Sequence, residues 1–100
     1  MINSYYSITQ INTYVKNVLE SDVVLSNVCV YGEIASYSVT NNIAYFSLKD
    51  ENGLINCVMF NASRFARPNI GDMILANGGV DYYAKMGKLT LNVFQIAPYG

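Results

Sequence analysis

The stretch Tyr45-Phe46-Ser47-Leu48-Lys49-Asp50-Glu51-Asn52-Gly53-Leu54-Ile55-Asn56-Cys57-Val58-Met59-Phe60 decides how the chain folds. Phe46 and Leu48 alternate with Tyr45, Ser47 and Lys49, the period of two that sends one set of side chains into a core and the other into solvent. Asp50-Glu51-Asn52-Gly53 is a turn in which Asn-Gly reaches positive φ at little cost, and Leu54 to Phe60 returns as a second strand. The two form a hairpin. On its N-terminal side Val28, Val30, Gly32 and Ile34 alternate with Cys29, Tyr31, Glu33 and Ala35, which makes another strand, and Ser38 to Asn42 is a polar loop leading into the hairpin.

Downstream, Asn61 to Pro68 is short and polar, room for a turn or two of helix before Pro68-Asn69-Ile70-Gly71 stops it. Asp72 to Tyr83 is a long strand whose mid-run Gly78-Gly79 pair signals a bulge or sharp bend. Lys85-Met86-Gly87-Lys88 is a basic turn, and Leu89 to Ile96 alternates through Leu89, Leu91 and Val93 as the last strand. The inward set so read includes Val28, Val30, Ile34, Phe46, Leu48, Ile74 and Val93.

Upstream lies one long helix. Ile8, Ile11, Val15, Val18 and Leu19 give Ser7 to Glu20 a single apolar face. Ser7 with Gln10 reads as a capping box, and Tyr6 is placed to staple onto Ile11. Residues 1–24 are therefore expected as a helical segment covering one end of a barrel built by residues 25–100. Five strands with a small helix between the third and fourth have the connectivity of an oligonucleotide/oligosaccharide-binding (OB) barrel, a mainly β fold that closes its sheet and removes most edges. Other five-stranded barrels, the SH3-like kind among them, share the strand count.

Composition agrees with one domain. The chain has 100 residues, 52% of them hydrophobic, with nine Tyr, four Phe and no Trp, enough apolar surface for one core and a balance that favours strands. Six basic and seven acidic residues give a formal net charge of −1, which argues against tight binding driven by phosphate neutralisation alone. No apolar run approaches the ~20 residues of a membrane span, and Met-Ile-Asn-Ser has no basic leader, so a cytoplasmic protein is expected. Cys29 and Cys57 sit in separate strands without a CxxC partner and the chain has no His, so neither zinc nor any other cofactor is expected, and both thiols should be free.

Ser7-Ile8-Thr9-Gln10-Ile11-Asn12 through Tyr14-Val15-Lys16, then Val30-Tyr31-Gly32-Glu33-Ile34, Tyr45-Phe46-Ser47-Leu48-Lys49-Asp50 and Val58-Met59-Phe60, together resemble the N-terminal domain of the exodeoxyribonuclease VII large subunit. The likeness covers nearly the whole chain. It implies an OB fold that binds single-stranded DNA, with the nuclease centre in a larger region further along the polypeptide and a small subunit as partner in the full complex. It also implies that these 100 residues are not an enzyme by themselves. The chain departs from the family where basic residues of the fourth strand give way to Asn77 and Gly79, where Ile43-Ala44 precedes the Tyr-Phe pair, and where Leu89 replaces an aromatic.

OB folds hold single strands by stacking bases on outward aromatics while basic loop residues follow the phosphates. The candidate interface residues are Tyr37, Tyr45, Ser47, Lys49, Arg64, Tyr83, Lys85 and Lys88, with DNA running along strands two and three between the loops at Ser38–Asn42 and Ala84–Lys88. Each has a plainer reading: tyrosines often pack, Lys85 and Lys88 bracket a solvated turn, and Arg64 with Arg67 either share one phosphate or solubilise their segment. Tyr31 and Tyr82 are in the same position. The carboxylates Glu33, Asp50, Glu51, Asp72 and Asp81 are spread over turns and strand ends, Glu33 being expected to fix a strand-end hydrogen bond beside Gly32. They do not read as a two-metal nuclease site. An alternative function is that of a protein-interaction module with little DNA affinity.

Overall fold

A computed structural model describes Ile2 and residues 4–100. Helix α1 (Ile8–Ser21) is followed by strands β1 (Val28–Thr40), β2 (Ile43–Lys49) and β3 (Leu54–Phe60), a single 3-10 turn (Ala62–Arg64), and strands β4 (Met73–Tyr83) and β5 (Lys88–Pro98). The five strands close into a barrel in the order β1-β2-β3-β5-β4. This is the mainly β, OB-type architecture expected from the sequence.

Closure depends on β1 serving two neighbours. Val28 to Glu33 pairs with β4, whereas Glu33 to Thr40 pairs with β2. At the change-over the register skips between Ile34 and Ser36, leaving Ala35 as an extra residue that bends the strand. A short parallel contact between Asn56–Val58 of β3 and Thr90–Asn92 of β5 shuts the barrel. Inside lie Ile34, Phe46, Leu48, Cys57, Met59, Ile74, Leu91 and Val93 with small Ala44 and Ala76 between them, while Val28 and Val30 pack at the edge. Burying each large side chain stabilises by roughly 1.5–3 kcal/mol, which makes this cluster the main source of stability. Leu89, in alternation with Leu91 and Val93, is nevertheless exposed, since it stands one residue into β5, before that strand meets β3.

The second bend is the Gly78 bulge. The β4–β5 register slips between Asn77 and Gly78, and a Cβ on Gly78 would stand 2.9 Å from the Val93 Cα and from the Asn92 carbonyl carbon. Its φ is not positive, so close strand approach, not dihedral freedom, requires glycine there.

Two turns differ from their sequence readings. Ser38–Thr40 is not loop: these residues extend β1 and pair with Tyr45, Ala44 and Ile43. Only Asn41 and Asn42 turn the chain, at φ of 52° and 60°, a left-handed pair that asparagine tolerates. In the β2–β3 turn neither Asn52 nor Gly53 needs positive φ, because the Asp50 carboxylate accepts from the Asn52 and Gly53 N–H groups at 3.0 and 2.8 Å.

Helix α1 begins as read. Ser7 and Gln10 satisfy each other's backbone N–H in a capping box. Tyr6 and Ile11 are both largely exposed, so no staple closes over the first turn. The helix rests chiefly on β4 and the loop beyond it: the Asn12 amide donates to the Ala84 carbonyl at 2.9 Å and accepts from the Tyr82 hydroxyl, and Lys16 pairs with Asp81 at 3.1 Å. None of its residues is fully buried.

Candidate nucleic-acid interface

Strand pairing fixes which side chains share the outer face. Ser38, Tyr45, Val58 and Asn92 are successive cross-strand partners, so they form one outward row across β1, β2, β3 and β5. Ser36, Ser47, Asn56 and Thr90 form the next row, and Thr40, Ile43 and Phe60 a third. Tyr45 and Phe60 are 47% and 58% exposed. They lie on the diagonal of the β2–β3 pair, about 7–8 Å apart, within reach of successive unstacked bases.

Beside Tyr45 a groove of about 650 Å³ opens between β3, β5 and the β4–β5 loop, lined by Tyr45, Val58, Tyr82, Tyr83, Lys85, Thr90 and Asn92, with Lys16 and Asp81 at its α1 side. Lys85 lies in the loop and Lys88 follows Gly87, whose φ of 63° closes the turn. Lys88 is the cross-strand partner of Tyr83. Both lysines are exposed and, among the described residues, neither has an ion-pair partner. The groove thus gathers Tyr45, Tyr83 and Lys85 of the expected set, with Lys88 one strand position away.

Four expected residues lie elsewhere. Tyr37 turns inward because the extra residue at Ala35 reverses the alternation of β1. Its ring packs 5.3 Å from Phe46 under the Arg67 guanidinium. Burial pushes the Tyr37 hydroxyl above its ordinary pKa despite the nearby Arg67 charge. Ser47 occupies an outward register position but is buried, its hydroxyl 2.7 Å from that of Ser36. Two small hydroxyls facing each other across the bend bond to one another and are covered by their neighbours. Lys49 is on the outer face but forms a 3.4 Å ion pair with Glu33, its partner across β1–β2. Glu33 therefore pairs with a lysine and does not fix a strand end beside Gly32. Arg64 ends the 3-10 turn with its guanidinium over the Phe65 ring at 5.2 Å, and Arg67 lies over Tyr37, so the two arginines cover different rings. The Ser38–Asn42 segment does not line the groove.

Phe60, Val58 and Thr90 are not among the interface residues expected from the sequence. With Cys57 and Met59 inward, the alternation of β3 alone puts Val58 and Phe60 outside. Lys16 and Asp81 were also missed, because their meeting depends on how α1 docks. Partial burial would raise the Asp81 carboxyl, but bonds from Lys16 and the Tyr82 N–H outweigh it and hold the group below the usual carboxylate range. Lys16 is raised in turn by its bonds to Asp81 and Glu20.

Other surfaces suit nucleic acid less well. A groove of about 440 Å³ beside Phe65, Pro68, Ile74, Ile96 and Pro98 carries one cation, Arg67, with one acid, Asp72. The surface around Lys49 also holds Glu33, Asp50 and Glu51. Among the described residues no cluster of acids, cysteines or histidines could hold a metal ion, and no helix is long and apolar enough to cross a membrane.

Known proteins align with this picture. The exodeoxyribonuclease 7 large subunit of Clostridium acetobutylicum is 41% identical over 94% of this chain, and that of Ruminiclostridium cellulolyticum 32% identical over 99%. The chain spans only 25% and 26% of those proteins. Among solved structures, a replication protein A heterotrimer bound to single-stranded DNA superposes with a TM-score of 0.64 at 13% identity, over 76% of this chain and 59% of that one. An OBody bound to hen egg-white lysozyme superposes at 0.60 with 15% identity, over 74% and 93%. At such identities these two support the fold alone. Residues 6–97, from just before the capping box to the penultimate residue of β5, match the family described as the OB-fold nucleic acid binding domain. The chain belongs to that family.

Proposed function

We propose that this domain binds single-stranded DNA across the outer face of β2 and β3 and delivers it to a nuclease region of the same polypeptide. The observation that carries the reading is the groove at Tyr45, where an outward aromatic meets Tyr83 and the unpaired Lys85 on a family member whose function is nucleic-acid binding. Bases stack on Tyr45 and Phe60, each worth ~1–3 kcal/mol, while Lys85 and Lys88 meet phosphates. The 100 residues themselves perform no hydrolysis on this reading. On the same reading, that step, a small subunit and a cytoplasmic setting belong to a longer protein of the kind the relatives represent.

Fluorescence anisotropy with a labelled oligothymidylate, compared with duplex, tests this across a salt series. With two phosphate-contacting lysines, log K should fall with log salt at a slope of about −1.4, and binding should be weak. Absence of binding at low salt, or preference for duplex, refutes the proposal.

A further inference from the structure

The inner end of the Tyr45 groove is a wall of hydrogen-bond acceptors. Tyr45, Val58 and Asn92 are successive partners across β2, β3 and β5. Neighbouring strands lie about 4.8 Å apart, so Asn92 stands roughly 10 Å from Tyr45 across a valine floor, a span that takes one base lying against the tyrosine with its pairing edge turned to the asparagine. The Asn92 amide donates to Asp81 at 3.3 Å. Chemistry fixes its orientation: an ionised carboxylate only accepts, so the amide presents its nitrogen there and keeps its oxygen for the groove. Lys16 and the Tyr82 N–H both reach the Asp81 Oδ1, which leaves Oδ2 to Asn92 and to a ligand. The Lys16 charge, 3.1 Å away, also offsets that of the carboxylate, so a phosphate chain can pass. Asn92 and Asp81 line the groove and are half-buried, where a polar group that loses water without gaining a partner is penalised.

Resting on the proposal that this groove binds single-stranded DNA, we infer that it also selects the base: the Asn92 Oδ1 and the Asp81 Oδ2 accept from the exocyclic amino group of cytosine or adenine and disfavour thymine and uracil. An amino group carries two N–H donors, one for each oxygen. The same edge of thymine or uracil presents a carbonyl oxygen, which meets acceptors and leaves them without a partner. Tyr45 stacks on any base, so it supplies affinity, while Asn92 with Asp81 supplies the discrimination.

Fluorescence anisotropy at low salt tests the inference with short homo-oligomers of deoxycytidine, of deoxyuridine and of the 2-pyrimidinone deoxynucleoside, which is cytosine without its amino group. The deoxycytidine oligomer should bind about three- to tenfold more tightly than the other two. Asn92→Leu, which keeps the size of the side chain and removes the acceptor, should bring the three affinities together while circular dichroism stays unchanged. The wild-type comparison stands by itself even if the leucine disturbs the barrel. Equal wild-type affinities overturn the inference and leave the single-strand reading intact, whereas binding of none of the three removes both. A preference for deoxycytidine that survives in a folded Asn92→Leu chain overturns the assignment to Asn92.

Discussion

Tyr45 and Lys49 leave the same face of β2, four residues and about 13 Å apart, yet they stand in different chemistry. Tyr45 borders a groove with Tyr83 and Lys85, and Lys88 lies beside Tyr83. Lys49 is held by Glu33 and shares its surface with Asp50 and Glu51. A net charge of −1 therefore averages two unlike patches. Attraction for phosphate depends on which cations keep their charge uncompensated; among the described residues these are Lys85 and Lys88 beside the groove aromatics, and Arg64 and Arg67 over the Phe65 and Tyr37 rings elsewhere.

The difference can be broken at its foundation. Gly78→Val would push a side chain into the Val93 backbone and remove the bend in β4 ahead of Tyr82 and Tyr83. A loss of about 1–3 kcal/mol or more in urea denaturation is expected, against less than about 0.5 kcal/mol for Lys49→Ala. A mild effect of the valine would mean that the bulge is dispensable.

Stacking comes next. Tyr45→Ala should weaken oligothymidylate binding by ~1–3 kcal/mol, and Phe60→Ala should act in the same direction, with no change in salt slope. Fluorescence anisotropy at fixed low salt reads both. Smaller still is the charge effect. Lys85→Ala and Lys88→Ala should each make the salt slope shallower by about 0.7, whereas Lys49→Ala should leave it unchanged. If Lys49→Ala changes the slope as much, the Glu33 pair does not neutralise it.

The smallest effect expected concerns pH. The folded-state pKa of Asp81 is lowered, so the stability contributed by its pair with Lys16 is present above the ordinary carboxylate value of ~3.9 and is lost as pH falls through the lowered one. Lys16 is raised, so its share is kept below its ordinary value and lost only as strongly alkaline pH passes the raised one. Amide exchange of α1 should therefore speed up selectively below about pH 4, and Asp81→Asn should abolish that acid limb. Acid sensitivity retained in the variant would assign it to another group.

Much of the fold was legible because period-two alternation is a local property. Phe46, Leu48, Ile34 and Val93 could be assigned inward from their neighbours alone, and Gly78-Gly79 announced a bend. Ala35 carries no such signal. An alanine bulge looks like any strand residue, yet it is what carries Tyr37 inward. Lys49 was visible as an outward cation, but its pairing with Glu33 depends on the β1–β2 register, which no single strand encodes. The amphipathic face of α1 was likewise plain, while the choice to dock through Asn12 and Lys16 rests on partners some 65 to 72 residues away. Phe60 was recoverable: the same alternation that buries Cys57 and Met59 puts it outside.

The most direct test of the Tyr45 groove as the binding surface is a backbone amide chemical-shift titration of the chain with oligothymidylate. Shifts should concentrate on Tyr45, Val58, Phe60, Tyr83, Lys85 and Thr90 and leave Tyr31, Glu33, Lys49 and Asn52 in place. Perturbations centred on Glu33 and Lys49, or none at saturating oligonucleotide, would contradict it.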